Sequence, residues 1–321
     1  MLLKDFIASS RQALSGIYPP REAAALVERL CTDHLGLHSH AHILEPEMQL
    51  EGALLDKANA ALGRLCKSEP IQYICGWSEF YGRRFNVNSA TLIPRPETEY
   101  LCRAAIEAAR SYGKAYGELR ILDLCTGSGC IAWTLACELP GAAVIGVDIS
   151  QEALEVAKGQ IAHAAEQHND SDGELGRRLS GIGSREGNGY DRPPCKAPDF
   201  LTCDILSGNA EEQLAEHGPY DIIVSNPPYI LPEEAAQMRA NVLLYEPETA
   251  LFVPEDQPQL FNKKIALLSS KLLYTGGELF VEINERLPEQ SAAVFEEAGL
   301  ADISIIQDGP GKDRIVRAKK K

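Results

Sequence analysis

From residue 118 to its end, the chain alternates strand-like and helix-like segments, and this pattern narrows the possible folds more than any other feature. Successive strands separated by helices build a mostly parallel sheet with helices on both faces. The last two strand-like runs are joined by DGPGKD, which is too short for a parallel crossover, so they should pair antiparallel. We predict an α/β, Rossmann-like seven-stranded sheet with an antiparallel last strand, built from RILDLC, AVIGVDI, FLTCDI, DIIVSN, ELFVEI, DISIIQ and RIVRAK.

The segments before this alternating region predict two further parts. Residues 1–70 carry apolar side chains at helical spacing, which predicts a bundle of four or five helices. Residues 71–97 include a run rich in aromatic and β-branched residues around Gly82, which predicts a β-hairpin linker. The α/β domain then occupies residues 98–321. Within it, residues 166–198 are rich in Gly, Ser, Pro and charge without any period, and this composition predicts a flexible insertion.

Charge and cysteine content exclude several classes of protein. The net charge is −15, and residues 1–75 hold seven basic against nine acidic side chains. This acidity argues against affinity by phosphate neutralisation, so we expect no direct nucleic-acid partner. No apolar run reaches the ~18 residues of a membrane span, so we expect no membrane. The nine cysteines contain no Cys-x-x-Cys pair, and we predict reduced thiols, a cytoplasmic location and no metal site.

A glycine-containing turn follows the first strand of the α/β region, in LDLCTGSGCIAW. Gly127 and Gly129 lack a Cβ, so the backbone can approach a ligand there, but the Gly-x-Gly-x-x-Gly pattern of dinucleotide enzymes is missing. Asp148 ends the second strand, where a carboxylate suits the two hydroxyls of a ribose, and Ser150 can cap the next helix in its place. Asp204 follows the third strand and is a candidate for an adenine amino group. Ribose and adenine sites without a phosphate cradle favour S-adenosylmethionine over NAD.

The fourth strand ends in Asn226-Pro227-Pro228-Tyr229, a corner that two prolines make rigid. Ligands of open α/β sheets bind at the carboxyl ends of strands, so this corner should face the methyl group of the cofactor. Prolines supply no N–H, and the corner therefore offers oxygen acceptors, namely the Asn226 side chain and the Pro227 carbonyl. Such acceptors suit a planar NH₂ group whose nitrogen is held in line with the methyl, while Tyr229 stacks on its π-system.

These segments resemble the PrmC/HemK family of peptide chain release factor glutamine methyltransferases. The resemblance covers nearly the whole chain and is carried by SNPPYI, LDLCTGSG, EPIQYICGWSEFYGRRFNVN, LIPRPETE, YEPETALFVPEDQ and GKDRIV. The Asn-Pro-Pro-Tyr run alone is shared with methyltransferases of DNA adenine and rRNA guanine, whereas the hairpin segment and IPRPETE are more specific.

The resemblance implies a class I S-adenosylmethionine-dependent methyltransferase that methylates N5 of the glutamine in the Gly-Gly-Gln loop of class-1 peptide chain release factors. It implies an N-terminal helical domain that helps to hold the factor, and we expect a monomer. Cys125 stands where many members have glycine, and the 166–198 insertion is longer than expected. By position, the cofactor residues are Cys125, Thr126, Gly127, Ser128, Gly129, Asp148 (ribose), Asp204 and Ile205 (adenine), and Asn226; the residues that bind the target glutamine are Asn226, Pro227, Pro228 and Tyr229.

Two other functions use the same residues. The first is an amino methyltransferase of adenine or guanine in DNA or rRNA, with the base flipped into the site. Such an enzyme calls for a basic target-binding domain, which the acidic N-terminal region does not supply. The second is a cofactor-binding adaptor without activity, and the intact Asn226 and Tyr229 argue against it.

Overall fold

The computed structural model describes residues 1–160 and 195–321. These residues form two compact units, which we call the helical unit (Met1–Trp77, Val87–Ser89 and Gln237–Glu246) and the sheet unit (Ser78–Asn86, Ala90–Ala236 and Pro247–Lys321). Residues 166–194 of the predicted insertion lie outside the described part of the chain, and residues 195–198 have no regular structure. The predicted domain limits at residues 70 and 97 remain predictions.

The helical unit is built from amphipathic helices around one core. Its elements are α1 (Leu3–Leu14), α2 (Pro20–Arg29) with a π-helical turn at Leu30–His34, α3 (Ala41–Leu44), α4 (Gly52–Leu65), α5 (Ile71–Cys75) and a short helix at Ala240–Leu243. Four α-helices thus lie in residues 1–70, as predicted. The core collects the apolar faces of these helices, including Phe6, Leu14, Val27, Leu30 and Leu65. Proline begins α2 because its missing N–H needs no partner in a first turn.

A two-stranded hairpin follows, with β1 at Trp77–Phe80 and β2 at Arg83–Asn86. Its turn residues Tyr81 and Gly82 both have positive φ, which matches the twist of a tight hairpin. The predicted hairpin therefore exists, but residues 71–75 in front of it are helical. Pro70 presets the entry to that helix, and Gly76 ends it in the left-handed conformation.

The seven strands of the large sheet lie where the sequence predicts them. The bounds are β3 (Arg120–Leu124), β4 (Ala143–Asp148), β5 (Asp199–Thr202), β6 (Tyr220–Ser225), β7 (Leu273–Glu282), β8 (Ala301–Gln307) and β9 (Asp313–Lys319). Their order is β5-β4-β3-β6-β7-β9-β8. The first five pair in parallel, whereas β9 is antiparallel to both β7 and β8. The predicted Rossmann-like sheet with an antiparallel last strand is confirmed.

Helices cover both faces of the sheet and leave the carboxyl ends of the strands for the site. They are α6 (Thr98–Ser111), α7 (Cys130–Glu138), α8 (Gln151–Lys158), α9 (Ala210–Ala215), α10 (Glu248–Leu251), α11 (Leu260–Leu272) and α12 (Pro288–Glu297), with 3₁₀ turns at Tyr116–Glu118 and Pro232–Gln237. Successive strand residues point to opposite faces, so Ile121 packs with α6 and α7, and Leu122 packs with α11 and α12. Both faces are apolar, which explains the continuous hydrophobic runs of these strands.

Gly146 in β4 permits a close approach that any larger residue would block. A Cβ at this position would lie 2.7 Å from Phe200 Cε1 and 2.8 Å from Thr126 Oγ1. We expect Gly146→Ala to lower the free energy of unfolding by about 1–3 kcal/mol, because overpacking displaces neighbours. Urea denaturation measures this loss, and Gly208→Ala is the control, since nothing lies within 4 Å of a Cβ at Gly208. Equal stability of the two variants would contradict the prediction.

Candidate active site

A cavity of about 350 Å³ lies at the carboxyl ends of β3, β4, β5 and β6, within the sheet unit. This is the edge where parallel α/β sheets bind ligands. Nine of the predicted site residues line the cavity: Cys125, Thr126, Gly127, Ser128, Asp148, Asp204, Ile205, Asn226 and Pro228. Gly129, Pro227 and Tyr229 do not line it. Residues separated by a hundred positions in the sequence are thus brought to one cavity by the order of the strands.

The turn after β3 is held in a strained shape. Cys125 has φ = 59°, a left-handed conformation that costs a non-glycine residue energy. Gly127 and Gly129 follow with φ of 54° and 77°. A Cβ on Gly127 would meet nothing within 4 Å, whereas one on Gly129 would lie 2.9 Å from Ala157 Cβ. Gly127 therefore keeps the cavity side of the turn open, and Gly129 permits close packing of α7 on α8.

Asp123 braces this turn from inside the sheet, and the sequence analysis missed it. Its Oδ2 accepts hydrogen bonds from Thr126 Oγ1 at 2.6 Å and from the Ala132 amide at 3.1 Å. The carboxyl is fully buried, and burial raises its pKa to about 7 despite these two donors. An aspartate in the middle of the apolar run ILDLC was the available signal, because a buried carboxyl needs nearby donors.

Asp148 occupies the end of β4 and faces the cavity. Its Oδ2 accepts from the Gly127 amide at 2.8 Å, and its Oδ1 accepts from the Ser150 amide at 2.9 Å. Burial raises the pKa of this carboxyl, and the backbone donors oppose that rise. The Ser150 hydroxyl caps α8 by accepting from the Ala153 amide at 3.1 Å. Asp148 is therefore not needed as a helix cap, and its remaining lone pairs are available to a ligand.

Next to Asp148, the cavity lining combines one carboxyl with apolar side chains. Asp204 is exposed, and its Oδ1 accepts from the Leu206 amide at 2.9 Å. Ile205 beside it is buried. Ile149, which follows Asp148, lines the cavity and is 61% exposed, so it offers apolar surface to a ligand. The sequence analysis did not select Ile149, although its place directly after the acidic strand end was a signal.

The corner after β6 is held by hydrogen bonds to α6 and β7. The Asn226 side-chain NH₂ donates to Thr98 Oγ1 at 3.1 Å. Pro227 and Pro228 are buried. The Tyr229 hydroxyl donates to Glu282 Oε1 at 2.9 Å, and burial beside that carboxylate raises the tyrosine pKa well above its ordinary value. The predicted stacking role of Tyr229 remains a prediction, and its hydroxyl is committed to a partner that the sequence analysis did not name.

Known proteins match this chain over nearly its whole length. Residues 5–76 match the model of the PrmC N-terminal domain, and residues 117–170 match that of a methyltransferase domain. A release factor glutamine methyltransferase of Bacteroides thetaiotaomicron is 37% identical over 310 residues, which cover 97% of each chain. The chain belongs to the release factor glutamine methyltransferase family. Two more enzymes of this name are similar to the chain. The one from Flavobacterium psychrophilum is 33% identical over 99% of each chain, and the one from Chlorobaculum tepidum is 35% identical over 98% of this chain and 94% of that one.

Membership in this family makes the chain a methyltransferase, and the predicted family and enzyme class are confirmed. Across residues 1–160 and 195–321, no three His, Cys, Asp or Glu side chains are grouped to hold a metal ion. The helices in that part of the chain are too short or too polar to span a bilayer. All nine cysteines are free thiols.

Proposed function

We propose that this enzyme transfers a methyl group from S-adenosylmethionine to N5 of the glutamine in the Gly-Gly-Gln loop of class-1 peptide chain release factors. The observation that carries the proposal is the Asn226–Tyr229 corner, which meets the cavity through Asn226 and Pro228. The names of the relatives support a release factor as the substrate. A cytoplasmic location follows from a substrate that acts in translation, and a monomer is the simplest state.

The residues of the cavity fit S-adenosylmethionine. Asp148 presents a carboxylate whose two oxygens are already aligned by backbone amides, which suits the hydroxyls of a ribose. Ile149 and Ile205 offer apolar surface to a flat adenine, and Asp204 lies beside them for its amino group. The open face of Gly127 leaves room for the amino-acid part. When bound, the cofactor supplies a methyl group on a positively charged sulfur, and the carboxylates of Asp148 and Asp204 would attract that charge.

The corner after β6 suits a carboxamide as the methyl acceptor. With its NH₂ donated to Thr98, the Asn226 side chain keeps its oxygen for a ligand. Pro227 and Pro228 have no N–H, so no backbone donor of theirs competes with the NH₂ of the target. The Asn226 oxygen would accept one hydrogen of the target nitrogen, and the Pro227 carbonyl, which the sequence predicts as the second acceptor, would accept the other; both would stabilise the positive charge that the nitrogen gains as it attacks the methyl carbon. With the cofactor bound, its methyl group would pass from the sulfur to this nitrogen, and the nitrogen would then release one of its two protons to water.

The alternative of a nucleic-acid amino methyltransferase uses the same corner. Residues 1–75 carry more acidic than basic side chains, so the helical unit lacks the excess of positive charge with which a protein binds nucleic acid. The adaptor alternative would not require the Asn226–Thr98 hydrogen bond in the cavity.

Mass spectrometry of the substrate tests the proposal. We expect the purified enzyme and S-adenosylmethionine to add the mass of one methylene to a class-1 release factor, on the Gly-Gly-Gln glutamine. A release factor with that glutamine changed to alanine is the matched control and should stay unmodified. Methylation of duplex DNA or rRNA with the release factor left unmodified would contradict the proposal. If the enzyme methylates neither the release factor nor DNA nor rRNA, the adaptor alternative is favoured.

A further inference from the structure

Cys137 and Cys195 form a pair of thiols that the proposed reaction does not use. Cys137 lies in the last turn of α7, and Cys195 lies just before the start of β5 at Asp199. Their Sγ atoms are 2.8 Å apart and hydrogen-bonded, although 58 positions separate the two residues in the sequence. Neither residue lines the cavity of the candidate active site. The fold of the sheet unit thus brings two thiols together away from that cavity.

Both members of this pair are held in place by regular structure. Cys137 is fixed by the hydrogen bonds of α7, and the residues after Cys195 enter the ladder between β5 and β4 at Asp199. Both side chains pack against the apolar cluster on one face of the sheet. An S–S bond is about 2.05 Å long, so the two sulfur atoms need to approach by less than about 1 Å to form one. Groups that the fold holds at such a separation react with each other far faster than separate molecules do.

We propose that Cys137 and Cys195 are a modification site, where a small disulfide such as glutathione disulfide oxidises the two thiols to a reversible disulfide bond. First, the Cys137 thiolate attacks one sulfur of glutathione disulfide, and one glutathione leaves as a thiolate. Next, Cys195 loses its proton, attacks the Cys137 sulfur and displaces the second glutathione. The two protons from the cysteines end on the two glutathione thiolates. Neither step involves the methyl donor or its acceptor, so the inference is independent of the proposed function.

Access and charge make Cys137 the attacking thiol of the pair. Both cysteines are half-buried, so a small molecule can reach them, whereas Cys102 is buried. The Cys137 thiolate accepts the S–H of Cys195, which lowers the pKa of Cys137 and raises that of Cys195. Burial opposes the lowering at Cys137, and the guanidinium of Arg83, which pairs with the adjacent Glu138 at 2.6 Å, favours it. The thiolate is the form of cysteine that attacks a disulfide.

The bond would join two elements away from the cofactor turn. α7 begins directly after Gly129, and Cys137 lies about 10 Å further along the helix at 1.5 Å per residue. β5 reaches the cavity only beyond its other end, at Asp204. We therefore expect the oxidised enzyme to bind S-adenosylmethionine and to transfer methyl groups within about threefold of the reduced enzyme. A reducing thiol pool keeps such a pair open, so the bond forms when that pool becomes oxidised.

Thiol counting and peptide mapping of the full-length protein test the inference. After incubation of the native protein with glutathione disulfide, we expect two of its nine thiols to be lost. A digest without reductant should contain the Cys137 and Cys195 peptides joined to each other, lighter than their sum by two hydrogen atoms. Dithiothreitol should restore both thiols. Glutathione retained on one cysteine, a bond between other cysteines, or no reaction would each overturn the inference.

Three variants separate the roles of the two thiols. Cys195→Ser keeps the attacking thiol without the one that resolves it, so one glutathione should remain on Cys137. Cys137→Ser should take up glutathione at least about tenfold more slowly than Cys195→Ser, because the remaining thiol has a raised pKa. Cys75→Ser is the matched control: it removes a half-buried thiol of the helical unit, whose pKa burial raises to about 11, and should form the bond as the wild type does. Equal uptake by Cys137→Ser and Cys195→Ser would contradict the attacking role of Cys137.

Thermal unfolding shows whether the bond joins two fixed elements of the native fold. A bond that closes a loop of 58 positions restricts the unfolded chain, so oxidation should raise the melting temperature of the wild type on the order of 5 °C. Cys195→Ser under the same oxidant should show no such rise. A cross-linked wild type that melts below the reduced protein, or that no longer binds S-adenosylmethionine as the reduced protein does, would show that the bond distorts the fold and would overturn its placement away from the site.

Discussion

Replacement of Asn226 by alanine is expected to lower kcat for methyl transfer about 10²–10³-fold, the usual effect of removing one preorganised polar group. Alanine removes the oxygen that accepts from the target nitrogen and leaves the nitrogen free to turn away from the methyl carbon. It also leaves Thr98 Oγ1 without the donor that now lies at 3.1 Å. Cofactor affinity should change less than about tenfold, since Asp148 and the turn after β3 are untouched.

A matched variant shows whether the loss is specific to the corner. Asn262 is another asparagine of the sheet unit, buried where Asn226 is half-buried, and its NH₂ donates to Gln259 Oε1 at 2.6 Å. Asn262→Ala should reduce stability to a similar extent and leave kcat near that of the wild type. Single-turnover rates and equilibrium binding of S-adenosylmethionine separate chemistry from binding. Normal turnover by Asn226→Ala would remove this residue from the reaction.

The elements of the sheet were predictable because local patterns determine them. Strand residues such as those of β3 and β4 are apolar on both faces, and the turns between them carry glycine or proline. The alternative roles of Asp148 and Ser150 were also visible, and the structure assigns the helix cap to Ser150. The start of the hairpin was less predictable, because Ile71–Cys75 has aromatic and β-branched residues yet is helical between Pro70 and Gly76.

The supporting residues of the site were not predictable from local patterns. Glu282 lies 53 positions from Tyr229 in the sequence, and only the pairing of β6 with β7 brings their side chains together. Thr98 lies 128 positions from Asn226, and the packing of α6 on the sheet brings the two side chains together. The need for glycine at position 129 also comes from tertiary packing, because a Cβ there would collide with the Ala157 side chain and not with a ligand. The sequence motif alone identifies the Asn226–Tyr229 corner as the reacting part of the site. The residues that hydrogen-bond to this corner come from other elements, and the fold decides which they are.

Replacement of Asp148 by alanine is expected to weaken S-adenosylmethionine binding at least about 100-fold. Two hydrogen bonds from ribose hydroxyls to a carboxylate contribute about 1.5–3 kcal/mol each, and 1.4 kcal/mol corresponds to a factor of ten. The variant also leaves the Gly127 and Ser150 amides without their acceptor, so the turn after β3 loses part of its support. Isothermal titration with S-adenosylmethionine and with S-adenosylhomocysteine measures the loss.

Two other aspartates, one after β5 and one at its start, give a graded control. Asp204 is exposed and lines the cavity, so Asp204→Ala should weaken binding tenfold or less, because solvent competes for its hydrogen bonds. Asp199 is exposed in β5 and does not line the cavity, so Asp199→Ala should bind as the wild type does. The expected order of affinity loss is therefore Asp148, Asp204, Asp199: Asp148 is the least exposed of the three, and Asp199 alone does not line the cavity. Equal losses at Asp148 and Asp204 would mean that net charge, and not two aligned hydrogen bonds, holds the cofactor.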